Sequence, residues 1–300
     1  MQGLDLGKYS TLGMMAISAV TIISLIGFLP QNSYAVSGTI SGGPSCVAIS
    51  GTWDNFSTCT VHSLTIHSGE TLTIPSGKHL VITGIITINS GGTLDNAGSI
   101  SVDQSVINNS GTLTNSGFID LPGGTINNLS GGTFNNLNSI RLFDAFSSHG
   151  FINNNSGGNI NNSGIISTFS IGNTINNSGG TINNLAGGSI GGAGTIDNSG
   201  TITNLGTITN FHAASIITNT GTISNSGTIS NGGTLTNTGT ITESCKSTFT
   251  GNPVVGTAPI NTCTSIPEFP FSFSLVIIFV AVAAVYMGIR QKMIPNFKRF

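Results

Sequence analysis

Residues 190 to 241 repeat a unit of six. Ile stands at 190, 196, 202 and 208, and Ile223, Ile229, Leu235 and Ile241 keep the same spacing. Gly precedes each of these by two positions (Gly188, Gly194, Gly200, Gly206; Gly221, Gly227, Gly233, Gly239). Asn usually follows by two (Asn198, Asn204, Asn210; Asn225, Asn231, Asn237). A helix has no use for this spacing: steps of six line no face at a 3.6 period, and a Thr-Ile pair with a Gly in every unit disfavours helix. A short strand accounts for it. Ile and the Asn two residues on then share one side, and the polar residue between them takes the other. Glycine lets the chain bend at each corner.

A longer variant interrupts the short one. Ile126-Asn-Asn-Leu-Ser-Gly-Gly-Thr-Phe134 is matched by Ile152 to Ile160 and by Ile182 to Ile190, each with the next apolar residue eight positions on. One Ile per unit is too little for a core built by lateral packing. Stacked coils solve this, because each Ile sits on its counterpart in the next coil and an apolar column is buried. Each such side chain is worth about 1.5–3 kcal/mol. The Asn side chains pair up and down the stack as a ladder at about 4.8 Å. Grouping apolar positions in threes, from Leu94 through Leu113, Phe134, Ile152, Ile175, Ile196 and Ile216 to Leu235, gives coils of about 20 residues. Their irregular corners favour a right-handed, three-sided parallel β-helix over the strictly periodic left-handed hexapeptide helix. Seven coils make a rod on the order of 35 Å long. The alternation of Asn, Gly, Thr and Ile resembles the β-solenoid stalks of filamentous adhesins and autotransporter passenger domains.

Charge narrows the function. The chain has 8 Lys+Arg and 10 Asp+Glu in 300 residues, a formal net charge of −2. Eight basic residues make no polybasic surface, so no nucleic-acid partner is expected. A mean hydropathy of +0.27 with so little charge also departs from the composition of disordered chains.

Both ends point to a membrane. Lys8 precedes an apolar run from Leu12 to Leu29, Pro30 breaks it, and Ser33 and Ala35 occupy the small-residue positions before Val36. That is the layout of a signal peptide (residues 1–35) cleaved between Ala35 and Val36, with an uncleaved anchor as the alternative. Phe271 to Ile289 is an uncharged stretch long enough to cross a bilayer as a helix, followed by Arg290, Lys292, Lys298 and Arg299. Basic flanks stay in the cytoplasm, so the repeat faces outward at the cell surface. Just before the span lies Pro267-Glu268-Phe269-Pro270. This tripartite tail (267–300) resembles the sorting signals processed by archaeosortases in archaeal surface proteins. The resemblance implies an archaeosortase-like processing enzyme as a partner and cleavage near Glu268; a plain single-span anchor is the alternative.

Between the ends, residues 36–92 read as an N-terminal cap with lead-in strands (Leu64 to Ile66, Leu72 to Ile74, Leu80 to Ile82), 93–243 as the solenoid, and 244–266 as a C-terminal cap and linker. A solenoid must cover its ends against unwanted strand pairing. The cysteines fall at those ends, and nearest-neighbour pairing gives Cys46–Cys59 and Cys245–Cys263, each worth about 3 kcal/mol. Four cysteines allow two other connectivities. Trp53 lies within the first loop and is expected to plug the core.

Signals for chemistry are sparse. Parallel β-helices include carbohydrate lyases and hydrolases, whose sites cluster carboxylates and bases on one face. Between residues 36 and 266 the acids are Asp54, Glu70, Asp95, Asp103, Asp120, Asp144, Asp197 and Glu243, against Lys78, Arg141 and Lys246, and the coil grouping stacks no two acids. An enzyme is the alternative rather than the reading. His62, His67 and His79 read as solvent-facing or cap-packing residues, not metal ligands; no cofactor is expected. The segments Arg141 to Phe146 and Phe211-His212 break the polar pattern and read as wide coils burying their aromatics, with a binding patch as the alternative. The Thr-x-Thr pairs Thr201/Thr203, Thr207/Thr209, Thr234/Thr236 and Thr240/Thr242 resemble the faces of ice-binding solenoids, although variable coil length argues against a flat lattice. Asn55, Asn108, Asn128, Asn154, Asn161 and Asn176 head Asn-x-Ser sequons, candidate glycosylation sites on an outward-facing chain. Together these features predict a non-enzymatic, membrane-anchored surface stalk that contacts glycans or neighbouring surface proteins.

Overall fold

The computed structural model describes residues 36–263, together with Tyr286 and Met287. The signal segment, the Pro267 to Pro270 motif and nearly all of the 271–289 stretch lie outside the described residues. Among the described residues, no helix is long and apolar enough to cross a membrane.

The repeat folds as a parallel β-solenoid with three faces. Four-residue strands carry the pattern that the sequence dictates: positions two and four point inward, one and three outward. The first face is an 11-stranded parallel stack that includes Thr71–Ile74, Thr93–Asn96, Thr112–Asn115, Thr133–Asn136, Asn159–Asn162, Thr181–Asn184, Thr201–Asn204, Thr222–Asn225 and Thr240–Glu243. The second and third faces are counted together as 19 strands, because Thr58–Ile66 and His79–Ile88 run through both. Steps along the first face range from 26 residues (Thr133 to Asn159) to 18 (Thr222 to Thr240). The mean from Thr71 to Thr240 is about 21 residues per coil. Eleven strands spaced about 4.8 Å make a stack on the order of 48 Å high.

The coil grouping expected from the sequence loses phase once. Leu94, Leu113 and Phe134 do share the first face, but the next residue in that column is Ile160; Ile152 belongs to the third face. The cause is the corner segment 144–150, which makes this coil the longest. Farther on, Ile217 is the inward residue paired with Ile196, and Ile216 faces out. The stack also begins before residue 93 and continues past 243. Strands at Thr58–Ile66, Thr71–Ile74 and His79–Ile88 occupy the same columns, and Thr248–Gly251, Val255–Gly256 and Ile260–Asn261 pair onto the last full coil.

The interior has two kinds of column. Position two is apolar throughout, as in Leu113, Phe134, Ile160, Ile182 and Ile202 on the first face, all fully or almost fully buried. Position four is Ile in the first coils (Ile74; Ile66 and Ile88) and becomes a buried Asn from Asn96 on the first face and from Asn109 on the third. Each Asn Nδ2 donates to the Oδ1 of the Asn one coil on: 96→115→136→162→184→204→225, every bond 2.7–2.8 Å, ending on the Glu243 carboxylate. A second ladder runs 109→128→154→177→198→219→237. The other Nδ2 hydrogen goes to a backbone carbonyl just past the corner of the next coil, as from Asn204 to Thr228 O (3.0 Å). Both donors of a buried amide are thereby used, and the corner backbone is tied down.

On the second face, position four starts apolar (Ile82, Val102, Leu121, Leu142), then changes to Thr168, Gly192, Asn210 and Asn231. Gly192 offers no donor to the next coil, and the Oδ1 of Asn210 has no partner.

Corner glycines serve two needs. A Cβ on Gly117 would lie 1.9 Å from Gly98 O, so the stacked carbonyl of the neighbouring coil excludes any side chain. Gly131, in a Gly-Gly corner, has φ 78° with open space around it, and there the left-handed backbone is the reason.

At the N-terminal end, helix α1 (Gly43–Ala48) carries Cys46 onto the core and bonds it to Cys59; Cys245 is bonded to Cys263 at the other end. Trp53 packs half-buried against the end of the core, with the Lys78 ammonium 5.0 Å from its ring centroid. Val36, Ile40, Cys46 and Ile49 are buried at this end as well.

Candidate functional site

Function in a filled solenoid must reside on the outward positions, the corners or the ends. Position one of the first face is a column of threonine hydroxyls, Thr71, Thr93, Thr112, Thr133, Thr181, Thr201, Thr222 and Thr240, broken once by Asn159. Variation in coil length does not disturb it, because the extra residues sit at corners and each strand stays in register. Position three bears outer amide ladders, Asn153→Asn127→Asn108 on the third face and Asn183→Asn161→Asn135 on the first, each bond 2.9 Å.

Charged side chains are few, and the ion pairs among the described residues are Arg141–Asp120, His67–Glu70 and His149–Asp144. On the second face Arg141 grips Asp120 with two hydrogen bonds, Nε to Oδ1 (2.7 Å) and NH2 to Oδ2 (2.6 Å). Asp54 accepts hydrogen bonds from the N–H groups of Thr58, Phe56 and Ser57, with Thr58 contributing most, and these hold its carboxyl down at about 2. The His67 N–H donates to Glu70 Oε2 (2.7 Å) and lowers that carboxyl as well.

The three histidines of the sequence reading stay apart. His62 is exposed at a corner, His67 lies beside Glu70, and His79 is on the second face against Ser99 with its pKa lowered chiefly by burial. Among the described residues no three His, Cys, Asp or Glu side chains come together.

The six sequon asparagines divide by position. Asn55 is exposed in the cap, and Asn108, Asn161 and Asn176 occupy outward position three. Asn128 and Asn154 are links in the interior ladder with no exposed surface, so a folded coil has no room for a glycan at either; the sequon expectation is corrected there.

The aromatic segments also depart from expectation. Leu142 is buried, but Phe146 is 97% exposed and Phe211 67%, so these corners do not bury their rings. The interior is already filled by the apolar columns, and added residues leave the coil at the corner between the second and third faces. Phe169 (58%) and Ile171 (59%) emerge at the same corner one coil after Phe146. Phe169 and Ile171 interrupt polar units in the same way, so the sequence carries the same signal for them.

No family model matches the chain, and no curated protein matches it. Among solved structures, a TibC-catalysed, hyper-glycosylated TibA fragment is similar over 68% of this chain and 97% of its own, with 19% sequence identity and a TM-score of 0.19. The solenoid assignment rests on the strand register above and draws nothing from this likeness.

Proposed function

We propose that the chain is a non-enzymatic cell-surface protein whose solenoid is a stalk for envelope structure or attachment. The observation that carries this reading is the outer surface: in-register columns of threonine hydroxyls and asparagine amides over many coils, interrupted by few charges. Such a surface suits many weak neutral contacts acting together with glycans or neighbouring surface proteins. A fold by itself leaves function open, so the reading depends on the surface and the ends of the chain. Residues 1–35 act as a cleaved signal, the 271–289 stretch holds the chain in the membrane, and an archaeosortase-like enzyme acting at Pro267 to Pro270 would exchange that anchor for another. The coils are right-handed, the hand parallel crossovers adopt almost without exception. Glycans sit at Asn55, Asn108, Asn161 or Asn176.

Mass spectrometry of protein taken from its native membrane, paired with protease shaving of intact cells, tests this. The expected result is a mature N-terminus at Val36, a solenoid degraded or released from whole cells, and glycan only at outward asparagines. A full-length chain confined to the cytosol would overturn the reading.

A further inference from the structure

The second face is interrupted in a way that the stalk role does not require. Its position-four column runs Leu142, Thr168, Gly192, Asn210 and Asn231 down successive coils, and Gly192 brings no side chain to it. In the strand Ser189–Gly192, Gly191 has φ 127° and Gly192 φ 142°, backbone that glycine alone adopts readily. A Cβ on Gly191 would overlap Thr209 O and one on Gly192 would overlap Thr168 O, so no substitution restores the missing link. Past Gly192 the amides do not join either. The Oδ1 atoms of Asn210 and Asn231 are buried without a partner, while their Nδ2 groups donate to backbone, Thr234 O (3.2 Å) and Asn252 O (2.8 Å). A buried oxygen left in this way forfeits its bonds to water for nothing in return.

The backbone is slack at the same step. Just past the second face, Phe169 N–H donates to the coil before it at 2.9 Å, Ala193 at 2.8 Å, Phe211 at 3.3 Å and Gly232 at 2.7 Å. At the start of the third face the series is Thr174 (3.0 Å), Thr195 (2.9 Å), Ile216 (3.3 Å) and Thr234 (3.0 Å). In both columns the longest bond joins the coil of Gly192 to the next. The first face has no such step. Thr201, Thr222 and Thr240 each donate at 2.9 Å, and the ladder from Asn184 through Asn204 to Asn225 crosses with bonds of 2.7 Å. The third-face ladder crosses too, from Asn198 to Asn219 at 2.7 Å, and Ile190, Ile208 and Ile229 keep the apolar column of the second face filled.

We infer that the solenoid carries a one-sided joint between the coil of residues 189–204 and that of residues 207–225. The second face and its corner with the third open there, while the first face holds as the hinge. The one-sidedness is what selects a joint over simple fraying, since the lost side-chain links and the long backbone bonds fall on one side of coils whose other faces are fully bonded. Stacked repeats make such an opening local, because each coil contacts only its neighbours and a weak interface can part without unfolding the rest. The two parts of the rod then tilt against each other under a sideways load. The inference goes beyond the surface reading and depends only on contacts between coils.

Residue-resolved hydrogen exchange of the full chain in detergent tests the joint. After correction for intrinsic rates, the Phe211 and Ile216 amides should exchange at least about tenfold faster than their counterparts one coil away, Ala193 and Gly232, Thr195 and Thr234. Thr222 should be as protected as Thr201 and Thr240. Even protection down both columns would overturn the inference, and so would Thr222 exchanging as fast as Phe211, because the coil would then open all round. Spin labels report the tilt itself. Ser167 with Ser230 on the second face, and Thr181 with Thr240 on the first, each span three coil steps across the joint. The second-face pair should give the broader distance distribution, and equal widths would refute tilting. Asn210→Val removes an unpaired oxygen and gives up one long bond, so its urea midpoint should match that of the native chain, whereas Asn204→Val in the complete ladder should lower it. Equal losses would show Asn210 Oδ1 to be bonded and would remove the joint.

Discussion

Replacing Asn204 by Ala probes the interior ladder where it is most complete. The substitution deletes three hydrogen bonds: Asn184 Nδ2 to Asn204 Oδ1 (2.7 Å), Asn204 Nδ2 to Asn225 Oδ1 (2.7 Å) and Asn204 Nδ2 to Thr228 O (3.0 Å). Each is worth about 0.5–1.5 kcal/mol net, and water has no easy route to the groups left behind, so the total is about 2–4 kcal/mol. The neighbours limit the damage from growing further. Asn184 Nδ2 retains Thr207 O (3.0 Å), and Asn225 Oδ1 still accepts from Gly227 N–H (3.2 Å). The matched control is Asn183→Ala, one coil away on the outer side of the same face. It also breaks amide contacts, to Asn159 and Asn161, but these groups are half-exposed and rehydrate. Its cost should stay below about 1 kcal/mol. Urea unfolding followed by circular dichroism measures both, with equal slopes confirming that the same surface unfolds. Costs within about 0.5 kcal/mol of each other would refute the idea that the buried ladder holds the coils together.

Other consequences follow from the same packing. Ile202→Asp places an unpartnered charge in an apolar column and should cost several kcal/mol, whereas Thr201→Asp on the exposed side should cost under about 0.5 kcal/mol; equal effects in urea melts would invert the assignment of sides. Gly117→Ala should destabilise more than Gly131→Ala, since the first meets a stacked carbonyl and the second only left-handed backbone strain of about 1–2 kcal/mol; the reverse order in thermal melts would contradict the close-approach explanation. Asp54 has a folded pKa depressed to about 2 from 3.8, so its contribution is present above 3.8 and lost as pH falls through about 2. The melting-temperature gap between native protein and Asp54→Asn should therefore close across that window, and a constant gap would show that the N–H bonds to Asp54 do not stabilise the cap.

How much of this was legible in the residues depends on where the irregularity sits. From Ile196 through Ile202 to Ile208 the strands and corners have constant length, so a period of six reports three faces directly. Ile with the Asn two places on pointing inward together was also readable, because strand geometry admits no other arrangement. The phase was lost between Phe134 and Ile160, since the extra residues leave at a corner where a surface loop costs little and carries no periodic signal. The Ile165-Ile166 and Ile216-Ile217 pairs hide their inward member for a related reason. Either residue fits a column, and only pairing with the neighbouring coil chooses Ile166 and Ile217. Phe146 and Phe211 stand out of their corners because the inward columns already fill the core. Their exposure follows from the packing of the interior, which the spacing of residues along the chain does not show.

The claim beneath all of this is that successive coils lie in register, one strand spacing apart. Spin labels on outward threonines measure it directly. Thr222 lies seven coils from Thr71 and five from Thr112 along the first face, so the two electron–electron distances should be on the order of 34 and 24 Å before the label tethers are added. The tethers cancel in the difference, which should be about 10 Å with narrow distributions in both pairs. Broad, overlapping distributions would mean a flexible chain in place of the stacked coil.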